Sequence, residues 1–352
     1  MIAYFVYHLD SYSGAAQQAL KLSTQIDEKV LFFNFNYKGY RKKILDDNRI
    51  IIDMTANKLI NVIIIIYFSL VYKIKIYHLH GFFIYGLLLG KLLKKKIILK
   101  TTLLGDDDFE SIMKRKFGKL KIRVIQKSVD YNIVLTERTK EKNSKYFPIK
   151  KIKKIPNGVD IDLSQKIDKE KYSFCFVGLA CERKNTLESI KYFNKYYSNL
   201  NNAKLYIVGP YENVENNREF SEEYVKKCFD YIRANNLEKK VIFTGKLSKD
   251  KTYDIYKKSS ALLFFSKKEG MPNVLLEAMA HKCIPVVSDM DGVSKEIIGD
   301  NGGFVLNQYD INIDIQKIDS LIKKDIAINI IRNSFTIDKI ASCYANIYSR
   351  LF

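Results

Sequence analysis

Two carboxylates, Glu269 and Glu277, bracket the segment EGMPNVLLE. The apolar run before them, ALLFFS, ends at Ser266 and has the composition of a buried strand. A short loop follows, and Pro272–Asn273 opens a helix, proline being favoured in a first turn. Backbone N–H groups of Gly270, Met271, Asn273 and Val274 then converge above the strand end. With the helix dipole they form a site suited to phosphate. Gly270 lets the backbone approach a ligand with no Cβ in the way. Glu277, about one turn into the helix, leans back toward its N-terminus. Paired hydroxyls donate well to a carboxylate, so this arrangement suits a sugar–diphosphate–nucleoside, one glutamate on the sugar and the other on the ribose. Either glutamate alone reads equally as a solvated or dipole-compensating residue; the combination points to a ligand.

Other residues compete for chemistry. His80, in YHLHG at an expected strand end, is the best-placed histidine to face a ligand, against a satisfied structural role. His281 reads as a polar helix residue. Asp106–Asp108 are adjacent carboxylates that suit Mg²⁺ or Mn²⁺. They suit acceptor hydroxyls, or the cap of a helix beginning FESIMKRK, at least as well. The five cysteines contain no CxxC pair, and with four histidines no zinc spacing appears, which predicts reduced thiols and a cytoplasmic chain.

The elements that must carry these residues alternate. In the first half IAYFVYHL, KVLFFNF, KIYHLH, KIILKTT, YNIVLT and KIKKIPN read as strands. In the second half YSFCFVG, KLYIVG, VIFTG, ALLFFS and CIPVVS do so, with helical patterns between them. This is α/β folding with parallel sheets. At 352 residues the chain is long enough for two such domains. A polar seam near 157–171 divides 1–165 from 171–335. Two doubly wound sheets joined there would face a cleft with the carboxyl ends of their strands, where open α/β sheets bind ligands.

The net charge is +20, and the first 170 residues, with 32 basic and 17 acidic side chains, hold +15 of it. A field this one-sided points to an anionic partner such as a membrane surface. The apolar run 59–72, LINVIIIIYFSLVY, is too short to span a bilayer. It reads as a buried helix, or alternatively as one touching lipid beside the basic runs 91–96 and 114–127. In the second of these, Phe117 and Leu120 are interleaved with Lys114, Arg115, Lys116 and Lys119. Peripheral association with the inner face of a membrane is the expectation. Nucleic-acid binding rests on charge alone, since no recognised module accompanies it.

EGMPNVLLEAMA resembles the E-x7-E signature of glycosyltransferase family 4, retaining enzymes of the GT-B fold. SYSGAAQQAL (11–20), IPNGVD (155–160), FVGLACERKN (176–185), LYIVGP, VIFTGKLS and CIPVVSDMDGVSKEII resemble further family segments in order. The tail resembles the family's final helix, crossing back to the first domain over about 336–352. The resemblance implies that Arg183 and Lys184 neutralise the donor diphosphate while Glu269 holds the donor sugar. It places Gly270–Asn273 around sugar and phosphate, Glu277 on the ribose, Gly178 in the phosphate loop and Gly14 at the turn that meets the phosphates from the other domain. It also implies a nucleotide-sugar donor of UDP type, a lipid-linked surface glycan as acceptor, and charge stabilisation of the leaving group with no metal. Two departures stand out. Leu179 follows Gly178 where the family has Arg, and Leu104 precedes Gly105 where the family has the His of a Thr-x-His-Gly turn. His80 and Asp106 are then candidates for the acceptor or sugar side. A nucleotide-sugar epimerase on the same fold is the alternative.

Overall fold

The computed structural model describes residues 1–9, 14–162, 167–213 and 219–352. The chain divides into two compact units, Met1–Gly158 with Ile337–Phe352, and Val159–Thr336.

The first unit runs β1 (Ile2–Val6), α1 (Gly14–Ser23), β2 (Val30–Asn34), β3 (Arg41–Asp46), β4 (Arg49–Asp53), α2 (Lys58–Val71), β5 (Ile76–His80), α3 (Ile84–Leu92), β6 (Lys96–Lys100), α4 (Phe109–Lys114), α5 (Gly118–Ser128), β7 (Tyr131–Val134), α6 (Glu137–Ser144) and β8 (Ile152–Lys154). Over the described residues its sheet has the order β3-β4-β2-β1-β5-β6-β7-β8, and every pairing is parallel except β3 with β4. All five residues of β1, β2 and β5 are buried, as a parallel strand covered on both faces requires.

The sequence leaves 41–53 unassigned, and there the structure adds the β3–β4 hairpin, turning through Asp47–Asn48. β3, RKKILD, is largely exposed at the sheet edge. Its charged side chains keep it from pairing further, and they also hide it from any search for apolar runs.

One sheet face is covered by α2, α3, α4 and α5. Ile65, Phe68, Leu87, Ile112, Ile122 and Ile125 pack there on Phe5, Phe33 and Leu79. Asn57 caps α2, its side chain accepting from the N–H groups of Leu59 and Ile60. The expectation of a buried helix at 59–72 needs correction. Only Asn61, Ile65, Phe68 and Ser69 of α2 are buried, and its opposite apolar face is exposed. The basic run 114–127 is likewise split. α4 stops at Lys114, Phe117 takes a left-handed conformation, and α5 begins at Gly118.

The second unit contains β9 (Ser173–Val177), α7 (Thr186–Tyr196), β10 (Lys204–Val208), α8 (Glu222–Ala234), β11 (Val241–Gly245), α9 (Lys249–Lys258), β12 (Ala261–Phe264), α10 (Asn273–Ala280), β13 (Ile284–Ser288), α11 (Val293–Ile298), β14 (Phe304–Leu306), α12 (Ile315–Lys323) and α13 (Ile326–Ser334). Its sheet is parallel in the order β11-β10-β9-β12-β13-β14, with β9 and β12 wholly buried at the centre. The chain then re-enters the first unit as α14 (Ile337–Ser349). There, with α1, it covers the second sheet face, and Tyr344, Ile347 and Tyr348 pack on Tyr4 and Ile76.

Candidate active site

The carboxyl ends of β9 and β12, neighbours in the centre of the second sheet, hold the densest charge cluster among the candidate residues. The loop after β9 carries Arg183 and Lys184 just before α7. The loop after β12 carries Ser266 and Glu269. Glu269 is buried, yet its Oε1 accepts from Lys184 Nζ at 2.6 Å, Ser266 Oγ at 2.8 Å and Arg183 Nη1 at 3.0 Å. The backbone joins the two loops as well, Lys267 N–H donating to the Arg183 carbonyl at 2.8 Å. Arg183 continues outward, donating from Nη1 to the Lys268 carbonyl at 2.9 Å and from Nε and Nη2 to both oxygens of Glu219 at 2.6 and 2.8 Å. Burial alone would depress the Arg183 guanidinium, but Glu219 and Glu269 outweigh it and hold the proton more firmly than in a free arginine. The hydrogen bond from Arg183 in turn lowers Glu219.

Gly178, directly after β9, has φ +154° and its N–H donates to the Val208 carbonyl. Gly209, after β10, has φ +135°, and a Cβ there would collide with the Gly178 carbonyl. These strand ends approach closely because residue 209 is glycine, while at Gly178 it is the backbone conformation that favours glycine. Leu179 follows, so the positive charge of this loop sits wholly on Arg183 and Lys184.

Gly270 and Met271 are buried, and Asn273 and Val274 are half-buried at the start of α10, whose N-cap is Pro272. Glu277 is half-buried one turn further on. Its Oε2 accepts from Tyr256 Oη at 3.5 Å. Burial first, and then this carboxylate, push the Tyr253 and Tyr256 hydroxyls well above their ordinary range, so both remain protonated donors. His281 is a helix-end residue, its Nδ1 lying 2.7 Å from the Glu277 carbonyl.

In the first unit, Gly14 is the exposed first residue of α1. The rest of the turn before it, 10–13, lies outside the described residues. His80 is buried, its ring tilted against those of His78 at 4.1 Å and Tyr4 at 4.9 Å, and among the described residues neither ring nitrogen has a hydrogen-bond partner. Burial, then His78 and Lys100, hold it neutral well below the usual histidine range. Asp106 pairs with Arg115 on the surface. Asp107 accepts from the Thr102 and Leu103 amides and the Thr102 hydroxyl, and burial pushes its carboxyl up to about 6. Asp108 caps α4 through the Ser111 amide at 3.0 Å. Asp107 and Asp108 thus brace the turn after β6, Asp108 as the cap of α4, while Asp106 pairs with Arg115. Among the described residues no group of three or more His, Cys, Asp or Glu side chains is placed to hold a metal ion. The five cysteines are free.

Sequence reasoning missed three contributors in the second unit, Ser266, Tyr256 and Glu219, and one buried lysine of the first unit, Lys100. Ser266 and Tyr256 carry no spacing signal, and Glu219 lies in a polar stretch with no pattern at all. Lys100 could have been found as a lysine closing an apolar strand. It is buried at the carboxyl end of β6, donates to Asn157 Oδ1 at 3.1 Å, and lies over the Tyr344 ring. Burial pulls its ammonium down to about 7.

Two doubly wound, mainly parallel sheets, one with a cation–carboxylate cluster at its central strand ends, define the GT-B fold. The chain belongs to the glycosyl transferases group 1 family, whose model matches residues 160–335, the whole strand set of the second unit. It is 31% identical over 150 residues to the capsular polysaccharide biosynthesis glycosyltransferase CapH of Staphylococcus aureus, a match covering 42% of this chain and 38% of CapH. The chain spans less than half the length of the curated relatives it matches. Among solved structures it superposes on Anabaena HepE in complex with UDP and glucose with a TM-score of 0.74 at 13% identity, over 99% of both chains. Sucrose-phosphate synthase from Thermosynechococcus elongatus gives 0.76 at 15% identity, over 100% of this chain and 98% of that one. At these identities the solved structures speak for the fold.

Proposed function

We propose that the chain is a retaining glycosyltransferase that moves a sugar from a nucleotide-sugar donor, of UDP type, to a lipid-linked surface glycan. The observation that carries this is the Arg183–Lys184–Glu269–Ser266 cluster. Two cations and a carboxylate are held at the carboxyl ends of adjacent parallel strands, the position where such sheets bind nucleotides. In this reading Arg183 and Lys184 receive the diphosphate and stabilise the charge that develops on it as the glycosidic bond breaks. Glu269, fixed by three donors, accepts from hydroxyls of the donor sugar. The first turn of α10 offers its amides to sugar and phosphate, and Glu277 accepts from the ribose. The likeness to CapH, named for capsular polysaccharide biosynthesis, supports the glycan acceptor, and the HepE complex supports UDP.

The test is a screen of nucleotides and nucleotide sugars for thermal stabilisation, followed by transfer assays with the donors that bind. A donor at about 100 times its Kd adds roughly 2.7 kcal/mol. Glu277→Gln is expected to weaken the selected donor by about 10- to 150-fold while leaving the unliganded melting temperature in place. Unchanged donor affinity in the folded variant would remove Glu277 from the site. Donor conversion with no acceptor requirement would favour an epimerase.

A further inference from the structure

The least explained surface of the first unit is the outward face of α2. A helix apolar on all sides belongs in a core or against lipid, yet α2 is half outside the core. Leu59, Ile63, Tyr67 and Leu70, which form one ridge at helical spacing, are 58–76% exposed, with Ile60 and Val71 beside them. α2 packs on α3, and α3 on α5. Leu88 and Leu92 of α3 and Leu120 of α5, with Phe117 preceding α5, add further exposed apolar side chains on those neighbours.

The segments that carry this face are strongly basic, the acids between them being Asp106–Asp108 and Glu110. Between Met54 and Gly105 the chain has eight lysines and no Asp or Glu, and between Ser111 and Val129 it has seven basic residues and again no acid. Lys114 and Arg115 are neutralised by Glu110 and Asp106. Among the described residues Lys116, Lys119, Arg123 and Lys127 have no carboxylate partner, nor do Lys58, Lys91 and Lys94. A second copy of this chain would set basic face against basic face, and a nucleic acid would leave the apolar ridge in water. A surface that is anionic outside and apolar just beneath satisfies both features.

We propose that this α2–α3–α5 face docks on an anionic lipid bilayer, with the α2 ridge lying in the interfacial layer and Lys91 of α3 and the basic side chains of α5 against the headgroups. α2 is about 21 Å long at 1.5 Å per residue, short of the ~30 Å hydrocarbon core, so it lies in the plane of the surface. Among the described residues no helix is long and apolar enough to cross a membrane. The proposal is independent of the sugar-transfer reading, and its test uses no donor.

The chain contains no tryptophan, so Tyr67→Trp places a single reporter on the ridge. The full-length variant is mixed with vesicles of phosphatidylcholine alone or with phosphatidylglycerol. The expected result is a blue shift and quenching by shallow brominated lipid with the anionic vesicles only. Sedimentation should show Lys116→Gln, Lys119→Gln, Arg123→Gln and Lys127→Gln together weakening binding at least about 100-fold, and salt weakening the wild type. The ridge variant Leu59→Ser, Ile63→Ser and Leu70→Ser should lose about 10-fold or more and abolish the salt-resistant remainder. These positions are exposed, and an unchanged melting profile certifies each fold. Equal binding by the ridge variant, equal binding to neutral vesicles, or an unshifted emission spectrum from the Tyr67→Trp reporter would overturn the proposal. So would absence of vesicle binding with duplex binding or self-association that the same substitutions remove.

Discussion

Replacing Lys184 by Met deletes one of three donors to a carboxylate that is almost out of water. The Lys184 and Glu269 side chains are 15% and 10% exposed, with 2.6 Å between Nζ and Oε1. Stripping one partner from a buried pair costs about 3–5 kcal/mol when the other is left alone. Glu269 is not left alone, because Arg183 Nη1 and Ser266 Oγ still donate to it. The cost therefore falls to that of one charged hydrogen bond, about 1.5–3 kcal/mol. For a domain of this size that is a fall of roughly 4–10 °C in melting temperature. In a Glu269→Gln background the buried negative charge is gone, and removing the ammonium should cost under about 1 kcal/mol, so the cycle closes with a coupling of about 1–2 kcal/mol. The assay is unfolding of the full chain for wild type, both single variants and the double variant. UDP affinity of Lys184→Met, measured in parallel, should fall about 10-fold or more. A coupling within about 0.5 kcal/mol of zero would show that Lys184 and Glu269 do not share their charge as described.

On the proposed reading Arg183 and Lys184 supply the positive field at the leaving diphosphate, so transfer activity is expected to survive exhaustive EDTA. Loss on chelation with rescue by Mn²⁺ or Mg²⁺ would refute that assignment. Lys100→Met should change the pH dependence of first-unit stability. The native ammonium releases its proton near pH 7 and the unfolded one near 10.4. Between these values the unfolded chain binds more protons, and wild-type stability gains up to about 1.4 kcal/mol per pH unit from this group. Subtracting the variant's urea-unfolding curve should reveal that rise between pH 7 and 10, and parallel curves would show that Lys100 is not desolvated.

The strands that carry the candidate site were legible because β9, β12 and β13 are buried on both faces and appear as unbroken apolar runs. The loop-to-helix transition at 269–277 was legible because Gly270, Pro272 and the two glutamates each restrict local structure differently. What pairs with what across 80 residues was not. Arg183 and Lys184 meet Glu269 only through sheet order, and Glu219 meets Arg183 from another part of the unit, none of which the sequence of either loop encodes. β3 escaped notice because an edge strand sheds the apolar alternation that marks other strands. α2 misled for the opposite reason. Fourteen residues of nearly uniform apolarity predict burial on every side, and only the layer built around them shows that one side has no protein to meet.

The return of the chain to its first unit has a consequence for synthesis. Tyr344 and Tyr348 of α14 close the sheet face that carries Tyr4 and His78, the Tyr348 hydroxyl bonding to Tyr4 at 2.8 Å and to His78 at 2.7 Å. When Gly158 leaves the ribosome, every strand of that sheet exists, yet its lid is still encoded beyond Thr336. At about 5–20 residues per second, the interval while Val159–Thr336 is made is roughly 10–35 s. The nascent first unit therefore waits with an aromatic sheet face open. The second unit, contiguous in sequence, is free to fold before the earlier one is finished. Maturation thus runs against the order of translation, and the window in which a chaperone would find this chain is set by the length of an inserted domain.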